Sequence, residues 1–198
     1  MNNLIQIKSF SAPEINKKEI LRYAKGNESD IKTVELLEDC LKEVENCLSY
    51  KVCYRAFSVT TDGKNCDFGD FKLVSRDLSK NLCSCKEVVL FGATVGLGID
   101  RLIIKYGKIS PVRALMLQAI GSERIESLCN LFCKELANEL GVKLRPRFSA
   151  GYGDLPLATQ KDIFSLLALD KNLGILLGDG LLMTPTKSVT AFVGLCEQ

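Results

Sequence analysis

The segment at residues 145–157 combines side chains suited to a ligand with a backbone that cannot be regular. It reads Arg-Pro-Arg-Phe-Ser-Ala-Gly-Tyr-Gly-Asp-Leu-Pro-Leu. Its prolines lack an N–H donor and favour extended backbone before them, and its glycines allow tight turns or close approach to a ligand. Arg147 offers a forked cation that suits a carboxylate, and Tyr152 offers a flat ring with a polar tip. The segment therefore indicates either a ligand-binding loop or a rigid connection pinned by surface arginines.

A second candidate is the glycine-rich run at residues 92–98, Gly-Ala-Thr-Val-Gly-Leu-Gly, between a predicted strand and a predicted helix. Its spacing does not match the Gly-x-Gly-x-x-Gly of dinucleotide sites, and it has no lysine and hydroxyl pair of a phosphate loop. We interpret it as a strand-to-helix turn that needs small residues, although the helix start could hold part of a ligand.

The chain has nine cysteines and no histidine. No pair has Cys-x-x-Cys spacing, so we predict no metal site, and an iron–sulfur protein has little support. Cys129 and Cys133 lie four residues apart, where the core face of a helix would also lie. We expect reduced thiols that pack as small hydrophobic groups. Without histidine, a serine–histidine–acid triad and histidine-bound zinc or haem are excluded, and we predict no catalytic side chain.

Length and charge restrict the class of protein. The 198 residues are 46% hydrophobic with a net charge of +2, which predicts one folded domain over residues 1–198 and no nucleic-acid partner. Residues 1–8 do not resemble a secretory leader, and the apolar stretch from Val88 to Ile99 is too short to span a bilayer. We therefore expect a soluble cytoplasmic protein with no membrane contact.

The pattern of elements predicts an α+β fold, a single irregular domain with a mixed or antiparallel sheet and several helices. The non-alternating apolar run in residues 87–94 indicates a strand covered on both faces. The predicted helices cover residues 11–24, 29–48, 75–82, 110–140 and 157–169, with Gly121-Ser122 as a point of break or bend. The predicted strands cover residues 51–60 and 87–94, with two or three more in residues 175–193.

Three stretches resemble a known family. Arg147-Phe-Ser-Ala-Gly-Tyr152 is similar to the Arg-x-x-x-Gly-Tyr signature of the activation, or reactivation, domain of cobalamin-dependent methionine synthase. Met183-Thr-Pro-Thr-Lys-Ser-Val189 resembles a late segment of that family, and residues 122–128 resemble the helix before its signature. The best-matched part is residues 88–194, and the chain resembles the short, free-standing members of the family.

The resemblance implies a set of residues that bind S-adenosylmethionine. Arg147 matches the arginine that contacts the methionyl carboxylate, Tyr152 matches the signature tyrosine, and Glu126 matches the helix acid, with Glu123 as the alternative. The implied cofactor-binding residues are Arg147, Ala150, Gly151, Tyr152, Glu126 and Ser188. Ala150 stands where the large enzymes have proline, and Gly153-Asp-Leu-Pro156 replaces their Pro-Ala-Cys-Pro run.

The function implied by the resemblance is reactivation of a corrinoid-dependent methionine synthase in methionine biosynthesis. We expect a methyltransferase-type component that supports reductive methylation of cob(II)alamin, with S-adenosylmethionine as methyl donor. The cobalamin would be carried by a partner corrinoid methyltransferase protein, and the electron donor would be a flavodoxin or ferredoxin. The alternative is a non-catalytic interaction module that clamps a corrinoid protein or senses S-adenosylmethionine.

Overall fold

The computed structural model describes residues 4–196. Residues 1–3, which belong to the stretch that does not resemble a secretory leader, lie outside the described residues, as do residues 197 and 198. The strands are β1 (Gln6–Phe10), β2 (Tyr50–Ser58), β3 (Thr60–Thr61), β4 (Asn65–Asp67), β5 (Lys72–Val74), β6 (Glu87–Thr94), β7 (Lys143–Leu144), β8 (Leu176–Leu177), β9 (Met183–Thr184) and β10 (Ser188–Cys196). The helices are α1 (Lys17–Ala24), α2 (Ile31–Val44), α3 (Arg76–Asn81), α4 (Gly98–Ile109), α5 (Pro111–Leu140), α6 (Gln160–Leu167) and α7 (Leu169–Leu173).

The main sheet has five strands in the order β1-β2-β6-β10-β7, and its neighbours pair antiparallel. Two smaller sheets, β3-β4-β5 and β8-β9, lie beside it. The predicted α+β class is confirmed, with an antiparallel sheet and seven α-helices among the described residues.

Strand β6 lies at the centre of the sheet and is covered on both faces, as its apolar run predicts. Val89 and Phe91 belong to one hydrophobic cluster, whereas Val88 and Leu90 belong to the other. Alternate side chains of a strand point to opposite faces, so a strand between two cores has no need of polar positions.

The helices divide between the two faces of the sheet. Apolar residues of α1, α2, α4 and α5 pack on one face, and those of α3, α6 and α7 pack on the other. Helix α5 is the longest, and its Phe132 ring lies 5.1 Å from Tyr54 and 5.0 Å from Phe91 between ring centroids. The glycine at position 121 does not break this helix, which continues through it. Its missing side chain leaves room for Lys187, since a Cβ there would lie 2.9 Å from Lys187 Cγ.

Helix α1 begins later than the sequence predicts. Asn16 caps it by accepting a hydrogen bond from the Glu19 backbone N–H at 3.1 Å. The predicted start at Ser11 is wrong because residues 11–16 are non-helical and are bound to α5 instead. The carbonyls of Pro13 and Glu14 accept hydrogen bonds from Arg124 at 2.7 and 2.8 Å.

The glycine-rich run at residues 92–98 is explained by close packing. A Cβ on Gly92 would lie 2.6 Å from Leu169 Cδ2, and a Cβ on Gly98 would collide with the Cys47 carbonyl oxygen. Gly96 adopts a positive φ of 82°, which glycine tolerates best. These contacts support the interpretation as a turn that needs small residues.

All nine cysteines are free, and five of them are buried: Cys40, Cys53, Cys66, Cys85 and Cys129. The prediction that thiols serve as packing residues is confirmed for these five. Within residues 4–196, no group of histidine, cysteine and acidic side chains is arranged to hold a metal ion. No helix in the same range is long and apolar enough to cross a membrane.

Candidate functional site

A cleft of about 540 Å³ lies at the open edge of β10. Strand β10 contributes residues 188–190, α5 contributes Glu126, α6 contributes Gln160, and β9 contributes Met183. The remaining wall belongs to the segment that the sequence singles out: Pro146, Arg147, Ser149, Ala150 and Tyr152. The volume is in the range of small-molecule sites.

The cleft exists because β10 loses its outer neighbour partway along its length. Strand β7 pairs only with Leu195 and Cys196, and Phe148 then forms a single bridge to Phe192. The two Phe148–Phe192 backbone hydrogen bonds measure 2.9 and 2.8 Å. Beyond that bridge the chain turns away from the sheet, and the edge of β10 at residues 188–190 faces the cleft.

The turn that follows Phe148 requires its glycines. Gly151 donates its backbone N–H to the Leu155 carbonyl at 2.9 Å and adopts a φ of 89°, and Gly153 adopts a φ of 51°. Both values lie in the left-handed region, where a side chain costs energy. The glycines therefore set the path of the loop that carries Arg147 and Tyr152.

Asp154 ties this loop to the start of α3. Its carboxylate accepts hydrogen bonds from the Ser75 hydroxyl and from the backbone N–H groups of Arg76 at 2.8 Å and Asp77 at 3.2 Å. Asp77 in turn accepts from the Asp154 N–H at 3.1 Å. The Ser75 hydroxyl bond, with these backbone bonds, lowers the pKa of the Asp154 carboxyl. The Gly153–Pro156 departure from the family pattern thus includes an anchor for the loop.

Arg147 and Glu126 form an ion pair on the wall of the cleft. Arg147 Nη2 donates to Glu126 Oε2 at 2.7 Å, and both side chains are partly exposed. The other terminal nitrogen, Nη1, is buried and has no hydrogen-bond partner among residues 4–196. Buried donors are rarely left unpaired, so this nitrogen has a hydrogen bond still to make, and an acceptor that entered beside it would supply one.

The structure distinguishes Glu126 from its alternative, Glu123. Glu123 is buried and accepts hydrogen bonds from Arg124, Ser127 and the Asn16 backbone. It is not among the residues that line the cleft, whereas Glu126 is. Of these two acids, Glu126 is therefore the one placed to meet a ligand there.

The other predicted site residues lie at different depths. Tyr152 is 60% exposed at the mouth, with its ring 6.2 Å from that of Phe148. Ala150 and Ser188 are buried in the lining, and the Ser188 hydroxyl donates to the Pro185 carbonyl at 2.8 Å. Gly151 is exposed and shapes the turn without lining the cleft. The structure thus brings five of the six predicted residues to one cleft and places the sixth beside it.

The sequence patterns do not identify two buried polar residues of the cleft. Gln160 and Thr190 are 5% and 1% exposed, and the Thr190 hydroxyl donates to the Gln160 carbonyl oxygen at 2.9 Å. They are 30 residues apart in the chain and match no motif. Their only sequence signal is a polar residue inside an otherwise apolar pattern, which does not identify a site.

Comparison with known proteins finds a solved structure with the same fold. The crystal structure of the MetH reactivation domain bound to AdoHcy matches 96% of this chain and 78% of its own, with a TM-score of 0.69 and 14% sequence identity. No protein-family model and no curated protein sequence matches the chain. The resemblance inferred from the sequence is confirmed at the level of the fold.

The expectation of a methyltransferase-type enzyme component is wrong. The solved structure that shares this fold is a reactivation domain and not a methyltransferase catalytic module.

Proposed function

We propose that this chain is a reactivation component that binds S-adenosylmethionine in the cleft and presents its methyl group to a partner corrinoid protein of the methionine synthase type. The observation that carries the proposal is the Arg147–Glu126 pair, with Arg147 Nη1 buried and unpaired beside it. A solved structure of the same fold was determined with AdoHcy, the demethylated form of S-adenosylmethionine.

The charges of the pair match the amino-acid end of this ligand. The ligand carboxylate would accept from Arg147, whose fork suits a planar acceptor, and the ligand ammonium would lie near Glu126. Because Glu126 holds only one terminal nitrogen of Arg147, the arginine can bind the ligand without giving up its existing partner. The pair also orients the guanidinium before the ligand arrives, which lowers the entropic cost of binding.

The chemistry asked of this chain is positioning. The sulfonium of S-adenosylmethionine is a good leaving group, so methyl transfer needs alignment with the cobalt and exclusion of water rather than an acid or base from this chain. The corrinoid belongs to the partner, and a low-potential donor such as a flavodoxin or ferredoxin supplies the electron. All of these components would meet in the cytoplasm.

The test combines the chain with a corrinoid protein, a low-potential electron source and S-adenosylmethionine labelled in its methyl group. We expect label on the cobalt and accumulation of S-adenosylhomocysteine only when all the components are present. Arg147→Ala should abolish the transfer at ligand concentrations that saturate the wild-type chain. If the ligand and the corrinoid protein both bind but no label moves under strong reduction, the chain is a clamp or a sensor.

A further inference from the structure

At Thr190, the edge of β10 lines the cleft without a neighbouring strand. We call the part of the cleft formed by Thr190 and Gln160 the floor. The backbone N–H and C=O of Phe192 both bond to Phe148, so they face away from β6. In an antiparallel strand, residues two apart direct their backbone groups to the same side. The N–H and C=O of Thr190 therefore face the cleft, and no hydrogen bond to either is found among residues 4–196.

Gln160 adds a third unpaired group beside this edge. Its carbonyl oxygen is occupied by the Thr190 hydroxyl at 2.9 Å, which orients the side-chain amide. The amide nitrogen has no hydrogen-bond partner in the described part of the chain, although the residue is only 5% exposed and lines the cleft. A donor that faces the cleft without a protein partner can pair with a ligand acceptor that displaces water there.

The floor differs from the Arg147–Glu126 wall in its charge. Its hydrogen-bonding groups are neutral, and they are flanked by the apolar side chains of Ala150, Met183 and Val189. Buried neutral groups bind a neutral, flat ligand end without the desolvation cost of a charge. An adenosyl ligand has one charged end and one neutral aromatic end. The Arg147–Glu126 wall suits the charged end, and the floor suits the neutral aromatic end.

We propose that Thr190 and Gln160 read the adenine base, an assignment that rests on the proposed function. The Thr190 carbonyl accepts from the exocyclic amino group, and the Thr190 N–H donates to the adjacent ring nitrogen. The Gln160 amide donates to a further acceptor of the nucleoside. Adenine presents a donor beside an acceptor, which complements the carbonyl and N–H of a single edge residue. Hypoxanthine presents an oxygen where adenine has the amino group, so it places an acceptor against the carbonyl.

The test compares S-adenosylhomocysteine with S-inosylhomocysteine by calorimetry. The two molecules have the same amino-acid end and the same net charge, so a difference in their affinities reports the contacts made with the base. We expect the inosyl compound to bind about 100-fold more weakly, since a site built for a hydrogen-bonding pattern rejects a ligand that leaves its groups unpaired. Equal affinities would overturn this inference and leave the proposed function standing. If neither compound binds, the proposed function fails as well.

A variant tests Gln160 separately. Gln160→Ala should weaken S-adenosylhomocysteine by about 10-fold, because one buried hydrogen bond is lost. Gln118→Ala is the matched control, since Gln118 is an exposed amide of α5 outside this cleft. A folded Gln160→Ala protein with wild-type affinity would remove Gln160 from the assignment. If that variant does not fold, the comparison of the two ligands on the wild-type chain still decides the inference.

Discussion

Two arginines in the Arg-Pro-Arg run have different environments. Arg145 Nη2 donates to the Cys83 carbonyl at 2.9 Å, and Arg145 is not among the residues that line the cleft. Arg147 lines the cleft and pairs with Glu126. Although the two arginines are only two positions apart, Arg145 has a structural role, whereas Arg147 is placed to bind a ligand.

We predict that Arg147→Ala weakens S-adenosylmethionine binding by about 2–4 kcal/mol, because the ligand carboxylate loses its charged partner. Arg147→Lys should recover only part of this loss, since lysine lacks the fork. Calorimetry measures both. Arg145→Ala is the control and should leave affinity near that of the wild type. A folded Arg147→Ala protein with unchanged affinity would place the ligand elsewhere.

The cysteines should differ strongly in reactivity. Burial raises the pKa of the Cys129 thiol to about 12 and that of Cys53 to about 11. Because the thiolate is the nucleophile, a raised pKa leaves little reactive form near neutral pH. We predict that iodoacetamide labels the exposed Cys47 and Cys83 first. Cys85 should react slowly, because burial raises its pKa to about 11.

Mass spectrometry after a time course at neutral pH measures this order. Labelling in strong denaturant is the control, and there all nine cysteines should react at similar rates. Fast labelling of Cys129 in the folded protein would show that the core opens far more readily than its packing implies.

At the scale of elements, glycines decide how closely helices approach one another. Helix α4 begins at Gly98 directly against the backbone of Cys47, which follows α2. Gly107, in the same helix, has no atom within 4 Å of the position where a Cβ would lie. The two glycines therefore provide a matched pair, one required by packing and one not.

We predict that Gly98→Ala lowers the free energy of unfolding by about 1–3 kcal/mol, because its methyl group would overlap a backbone carbonyl that cannot move freely. Gly107→Ala should raise it by about 0.5–1 kcal/mol, since alanine favours the helix and meets no obstacle there. Urea unfolding curves measure both variants. An equal effect of the two changes would show that the contact with Cys47 is not a constraint.

At the scale of the molecule, a buried ion pair joins the segment before α1 to α5. Glu123 and Arg124 are each 2% exposed and lie 2.5 Å apart, and Arg124 also binds the carbonyls of Pro13 and Glu14. Helix α5 in turn packs against the sheet through Phe132. The pair therefore connects the beginning of the described chain to its central core.

We predict that Arg124→Ala lowers the free energy of unfolding by about 3–5 kcal/mol, because it leaves the Glu123 carboxylate buried without its cation. Lys17→Ala breaks the exposed Lys17–Glu38 pair and should cost less than about 1 kcal/mol. Thermal unfolding measures both. A small loss for Arg124→Ala, similar to that of the control, would mean that Glu123 is reached by water or becomes protonated.

Local signals were sufficient for much of the fold. The sequence predicts the strand at residues 87–94 and the helix at residues 110–140 to within a residue, because each has a strong apolar pattern. It misplaces the start of α1, because the capping signal at Ser11 competes with the tertiary contacts of Arg124. It also does not find β1 and β7, which are short and lie at the edges of the sheet.

The sequence by itself determined the α+β class and the chemistry of residues 145–157, because helix and strand periodicity, proline, glycine and arginine act locally. Only the tertiary structure decided which acid meets Arg147, since Glu123 and Glu126 differ in their burial and not in their type. It also decided that Gln160 and Thr190 share a floor, because β10 and α6 converge where β7 ends. Contacts between distant segments depend on how the sheet edge and the helices pack, and a local sequence pattern does not predict this packing.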